Sequence, residues 1–189
     1  MSGIAVLHLD ESCLGNGREG ENPGGGGGLV EARSAGGRIQ RRDFYISSPA
    51  TTNNRMALSG AIAALQLLAR KGARLKVLMV SDSQYLVKGM REWVPGWASR
   101  GWRRKLGPIE NLELWKALLA SSRLHDVQWT WVRGHQGHAK NEYANDLAVL
   151  AAREQTTSEG MVESGFGEWL ESKRAKRLYQ EYDPDLAFT

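Results

Sequence analysis

The chain has 189 residues, 41% of them apolar, enough for one well-buried core and too few for two ordinary domains. Its lone cysteine, Cys13, excludes an internal disulfide; no run of about 18 apolar residues is present to span a bilayer, and no apolar leader precedes a cleavage site. A reduced, soluble, cytoplasmic protein with no membrane association and no obligate protein partner is the expectation, while a net charge of +4 and an isoelectric point near 9.3 point towards an anionic partner.

Along the chain, "IAVLHL" (Ile4 to Leu9) reads as a buried strand that ends in Asp10. The glycine-rich "ESCLGNGREGENPGGGGG" is expected to be a long loop leading to a second strand near Leu29 to Ala32. Alternation in "RIQRRDFYISS" gives a third strand, and the three form an antiparallel meander. "NRMALSGAIAALQLLARKG" spaces Leu58, Ile62, Leu65 and Leu68 as a helix, opened by Thr and Asn and closed by Gly72. "RLKVLMVSD" is a strand that again ends in an aspartate, Asp82, and "SQYLVKGMREWV" is a short helix closed by Pro95. A helix over "NLELWKALLASS", a fifth strand over "VQWTWV" and a helix over "NEYANDLAVLAAREQ" complete an α/β body over residues 1–155: a five-stranded mixed sheet, strands 1–3 antiparallel, flanked by helices. Residues 156–189 form a polar C-terminal extension with a basic amphipathic helix over "FGEWLESKRAKRLYQEY".

Strand-end aspartates are common in turns, so Asp10 and Asp82 alone say little. Their company says more. "DESCLGN", "TTNNRM", "SDSQYLVKG" and "VRGHQGHAKNE" occur in that order, and together, from about Ile4 to about Ala152, the chain resembles ribonuclease H type 1 of the bacterial kind. The resemblance implies an endonuclease that hydrolyses the RNA strand of an RNA/DNA hybrid with two divalent ions, Mg²⁺ or alternatively Mn²⁺. Two such ions roughly 3.5 to 4 Å apart repel each other, so anionic oxygens must hold them.

By that resemblance Asp10 and Asp82 match two of four acidic ligands. The other two positions depart from the pattern: Ala57 stands where a glutamate follows the methionine of "TTNNRM", and Asn145 stands where the last aspartate is expected. Three readings stay open. Neighbouring acids substitute, with Glu11, Glu142 and Asp146 as candidates; or Asn145 serves as a neutral oxygen ligand at reduced metal affinity; or the changes were engineered. Strand alternation speaks against Glu11, which should face away from Asp10. Helical phase speaks against Asp146, because Tyr143, Ala144, Leu147, Ala148 and Ala151 form the buried stripe with Asn145 and Asp146 on opposite flanks. Catalytic candidates are thus Asp10, Asp82, His135 and Asn145, with Asp10, Asp82 and Asn145 as metal ligands. His135 matches the family's "GH" loop, which implies proton transfer or product release, and an imidazole titrating near ~6.5 suits that role. With no cysteine nearby, His135 and His138 make a poor zinc site.

Between Lys88 and Lys105, six cations face one glutamate with Trp93, Trp97 and Trp102 interleaved. Three indoles beside so much charge are not all expected to be buried, and cationic aromatic surface suits a nucleic-acid backbone. The run resembles the family's basic protrusion, with Trp97, Arg100, Trp102, Arg103, Arg104 and Lys105 as DNA-strand contacts. The resemblance further implies that Asn16, Asn53, Asn54 and Gln84 hydrogen-bond the hybrid and that Thr52 helps hold a phosphate. Helix capping is the local alternative for Thr52 and Asn53. The alternative to an enzyme is a catalytically silent hybrid-binding module.

Overall fold

The structure is a computed structural model that describes residues 3–15, 22–34, 36–70, 72–134 and 136–186. Strand β1 (Ile4–Cys13) pairs antiparallel with β2 (Asn22–Arg33), which pairs antiparallel with β3 (Ile39–Thr51). Helix α1 (Asn53–Ala69) leads to β4 (Lys76–Ser81), parallel to β1. Then come α2 (Gln84–Lys88), a π-helical turn (Gly89–Trp93), α3 (Val94–Ser99) and α4 (Leu112–Ser122). Strand β5 (Asp126–Trp131) joins the far side of β4 in parallel, and α5 (Ala139–Glu154) crosses back over the sheet. The expected meander and mixed sheet are present. The strand count is not: β6 (Val162–Glu163) pairs with Arg42 and Asp43 of β3, giving, among the described residues, six strands in the order β5-β4-β1-β2-β3-β6.

The largest correction falls on the glycine run. Asn22 to Gly28 is strand, and β1 reaches Cys13 because the run gives it a partner along that length. Glycine suits this strand because both of its faces are pressed against other atoms. A Cβ on Gly27 would lie 2.6 Å from the Ala144 carbonyl oxygen and the Ala148 nitrogen of α5, and one on Gly25 would lie 2.5 Å from the Ala152 nitrogen. On the other face a Cβ on Gly28 would overlap the Phe44 ring. Poor intrinsic strand propensity is overridden by a close approach that a side chain would forbid.

The main core lies on the α1 side of the sheet. Ala5, Leu7 and Leu9 of β1 and Val77 and Met79 of β4 meet Leu58, Ala61 and Leu65 of α1 and Trp115 and Leu118 of α4. Even-numbered β1 residues therefore face α5. Pro95 does not end the helix as expected. The widened π turn, with the Val94 N–H donating to the Gly89 carbonyl, restarts the helix with Pro95 in its first turn, where a missing N–H costs little. After α5, the chain runs back along β3 and forms α6 (Phe166–Ala175), shorter than expected. Its Phe166 and Leu170 pack with Leu29 and Tyr143 into a second core. Among the described residues no helix is long and apolar enough to cross a membrane.

Candidate active site

Asp10 lies within β1, opposite Gly27, and not at the strand end. What ends there is its pairing with β4, whose last register pair is Leu9 with Ser81; Asp82 follows at once. Two carboxylates thus meet where two adjacent parallel strands part. Beyond that point β1 has no neighbour on the β4 side, so side chains from either face can bend around the free edge. Glu11 does so. Carboxylate oxygens of Asp10, Glu11 and Asp82 lie within 4.8 Å of one another, and the alternation argument against Glu11 fails because the sheet is open beside it.

The face from which Glu11 comes matters. Its cross-strand partner Gly26 lies against Gly60 of α1, the helix that also carries Ala57. Ala57 is buried in the main core. Glu11 thus reaches the cluster from the side of the sheet on which α1 and Ala57 lie.

Three like charges in partial burial are costly without a cation. Burial, then the charge of Asp82, raises Asp10 from 3.8 to about 7, opposed by hydrogen bonds from the Glu11 backbone N–H and from Asn141. Those bonds are 2.7 Å to Oδ1 and 3.2 Å to Oδ2. Burial, then Asp10 and Asp82, pushes Glu11 well above its ordinary range, with the Ser83 hydroxyl opposing. An all-oxygen set that resists ionising together is what a hard divalent cation would relieve.

The remaining acids are engaged elsewhere. Asp146 is exposed, accepting from Trp169 Nε1 at 2.7 Å with Lys173 Nζ at 3.6 Å, and Glu142 bonds Tyr179. Neither joins the cluster. Asn145 is half-buried, one helical turn beyond Asn141 and so on the same stripe of α5. Asn141 was not among the residues expected to act; its spacing of four from Asn145 is the signal that could have found it. Ser83 was likewise missed, and its place directly after Asp82 was the available clue.

His135 and Asn16 lie outside the described residues. The chain just before His135 nevertheless reaches the cluster: a Cβ on Gly134 would overlap Asp82 Oδ2, and Trp131 Nε1 donates to the Asp82 carbonyl at 2.9 Å. Thr52 caps α1, accepting from the Arg55 N–H at 3.4 Å, with Asn53 and Asn54 opening the helix. Gln84 is exposed at the start of α2, two residues from Asp82. In the basic lobe Arg100, Arg103, Arg104 and Lys105 are exposed. Trp93, Trp97 and Trp102 are each half-buried against the main core, and none is fully buried. Trp93 and Trp97 lean on Trp115, at 6.3 and 6.0 Å between ring centroids, and each indole is wide enough to root the lobe while keeping part of its surface exposed.

A mixed sheet with carboxylates where its central parallel strands part, crossed by a helix bearing the asparagines, is the ribonuclease H-like α/β fold. A family model for RNase H matches residues 3–153. The ribonuclease H of Pelobacter propionicus is 43% identical over 149 residues, spanning 78% of this chain and 84% of its own. That of Syntrophotalea carbinolica is 42% identical, spanning 82% of this chain and 95% of its own. The crystal structure of LC9-RNase H1, described as a type 1 RNase H with the type 2 active-site motif, matches with a TM-score of 0.88 at 54% identity, over 94% of this chain and 86% of that one. LC11-RNase H1, solved in complex with an RNA/DNA hybrid, shares the fold at 17% identity and a TM-score of 0.57, over 80% of this chain and 98% of its own. The chain belongs to the ribonuclease H family.

Proposed function

We propose that this chain hydrolyses the RNA strand of RNA/DNA hybrids, with Asp10, Glu11 and Asp82 as anionic metal ligands and Asn145 as a neutral oxygen ligand. The observation that carries the reading is the meeting of three carboxylates from β1 and the end of β4 within 4.8 Å. The set then holds three formal negative charges, between the two left by Asp10 and Asp82 alone and the four of the family's quartet. Mg²⁺ fits this oxygen set, and Mn²⁺, which tolerates looser geometry and amide ligands, is the alternative.

Bound divalent ions would supply an activated water and neutralise charge on the leaving oxygen. The protein's own groups do the rest. Asn141 and the Glu11 N–H fix both oxygens of Asp10. Ser83 fixes Glu11. Gly134 lets the loop pass close to Asp82, and His135, next in the chain, is the residue that would exchange a proton with the leaving group. Asn53, Asn54 and Gln84, with Asn16, offer neutral donors to the hybrid's 2′-hydroxyls and base edges, and Thr52 offers a phosphate contact beyond its capping role. Arg100, Arg103, Arg104 and Lys105, with the exposed edges of Trp97 and Trp102, would grip the DNA strand. In this reading residues 1–155 are the nuclease domain and residues 156–189 an extension of it, acting in the cytoplasm.

Cleavage of a labelled hybrid in Mg²⁺ and in Mn²⁺ tests the proposal. Glu11→Gln should lower turnover about 100-fold, equivalent to ~2.7 kcal/mol of transition-state stabilisation. Adding Ala57→Glu to Glu11→Gln should recover part of it, because the carboxylate returns from the same side of the sheet. Full activity in Glu11→Gln would remove Glu11 from the site. Tight hybrid binding with no cleavage in either ion would leave the silent binding module as the correct reading.

A further inference from the structure

The segment after α5 holds that helix at four positions in its first two turns. The Pro184 carbonyl accepts from Lys140 Nζ at 2.9 Å, and the same ammonium reaches Glu31 at 2.6 Å. Glu31 is fully buried and also receives Arg41, which in turn binds Asp185 at 2.5 Å. Two residues on from Lys140, Tyr179 bonds Glu142. The Tyr143 hydroxyl donates to Asp43 Oδ2, the oxygen that also accepts from the Gly165 N–H at 3.0 Å. Finally Trp169 and Lys173 hold Asp146. Asn141 and Asn145 lie on a different stripe, and Asn141 touches Asp10.

Neighbouring residues on a helix are about 100° apart, so a rotation of that size would present Asp146 where Asn145 stands. Asp146 is a strong acceptor next to Asn145 in the chain, and its partners Trp169 and Lys173 hold it on the outer face of α5. We propose that the C-terminal extension sets the phase of α5, so that Asn145 faces the carboxylates, and that Trp169 is the positioning residue through which it does so. The inference rests on the reading above that Asn145 belongs to the metal site.

Trp169→Phe in the full chain is the probe. It keeps an aromatic ring for the contacts with Phe166, Tyr143 and Tyr179, at 5.8, 5.5 and 5.9 Å between centroids, and for Lys173 above it, and removes the donor to Asp146. Mg²⁺ and Mn²⁺ affinity measured by calorimetry should fall about tenfold, the range in which groups orienting a ligand act. Amide exchange should accelerate over residues 140–148 and stay unchanged in β1 and β4. In an Asn145→Ala background the same substitution should leave metal affinity unchanged, since the ligand it positions is gone. An equal fall in both backgrounds, or no fall in either, overturns the proposal. If Asn145→Ala by itself alters neither metal affinity nor turnover, Asn145 lies outside the site, and the failure belongs to that earlier reading.

Discussion

At Gly25 and Gly27 the backbones of β2 and α5 touch with no room for a methyl group, whereas the lobe from Trp93 to Lys105 stands on three half-buried indoles and leaves Arg100, Arg103, Arg104 and Lys105 in solvent. The first region places like charges within 4.8 Å of one another, and a displacement of an ångström there changes every electrostatic interaction among them. On the proposed function the second would attract a polyanion over a distance set by salt, and a small shift of one guanidinium would matter little. On that reading close packing would serve the chemistry, and exposure the grip.

The sharpest way to break the sheet half is Gly25→Ala. Its Cβ would meet backbone atoms of α5 at Ala148 and Ala152, which cannot rotate aside. Loss of at least about 3 kcal/mol of stability is expected by thermal or denaturant unfolding, with α5 displaced from Asp10. Alanine at Arg103, on the lobe, should cost no measurable stability, and comparable losses at the two positions would erase the distinction.

Next in size is Asp10→Asn, which separates the cost of the cluster from its use. Asp10 titrates at 3.8 when unfolded and at about 7 in the metal-free fold, so the unfolded state releases its proton first. Its contribution to stability is intact below about pH 4 and is lost as pH rises through 7. Asparagine cannot ionise. The metal-free variant should therefore be more stable than the parent at pH 8, by on the order of 1–4 kcal/mol, and no more stable at pH 4, while turnover is abolished. Saturating Mg²⁺ should reverse the order at pH 8, because only the parent's carboxylate binds the ion strongly.

How far these regions were legible differs for physical reasons. Helical period exposed α1, α4 and α5, and the order of motifs exposed Asp10, Asp82 and the family. The glycine strand was illegible because its stability comes from α5, over a hundred residues away, and no local propensity reports that contact. Glu11 was misjudged for a related reason: alternation holds inside a paired sheet, and the end of β4 at Ser81 removes the neighbour that enforces it.

For the lobe, Arg103→Ala with Arg104→Ala should raise KM for the hybrid about tenfold at low salt and leave kcat within twofold, since neither residue approaches the carboxylates. The slope of binding against salt should shrink by nearly two released ions. An equal fall in kcat would mean that the lobe also positions the scissile bond, and the division between chemistry and grip would be less clean.

The smallest effect is expected inside the sheet half, at His8. It lies two residues before Asp10 on the same face, and neither ring nitrogen has a partner among the described residues. Burial, then the charges of Lys140 and His138, lowers its pKa from 6.5 to about 3. A polar group buried without a partner is a cost, so His8→Phe should stabilise the protein by about 1 kcal/mol near pH 7, a rise of roughly 2–4 °C in Tm. The advantage should widen on acidification: the unfolded chain takes up a proton near pH 6.5 and the fold refuses one until about 3, so the parent alone loses stability across that window. A destabilised variant would show that the imidazole is served by a buried water beneath α5, and that the sheet half holds its helix by hydrogen bonding as well as by close packing.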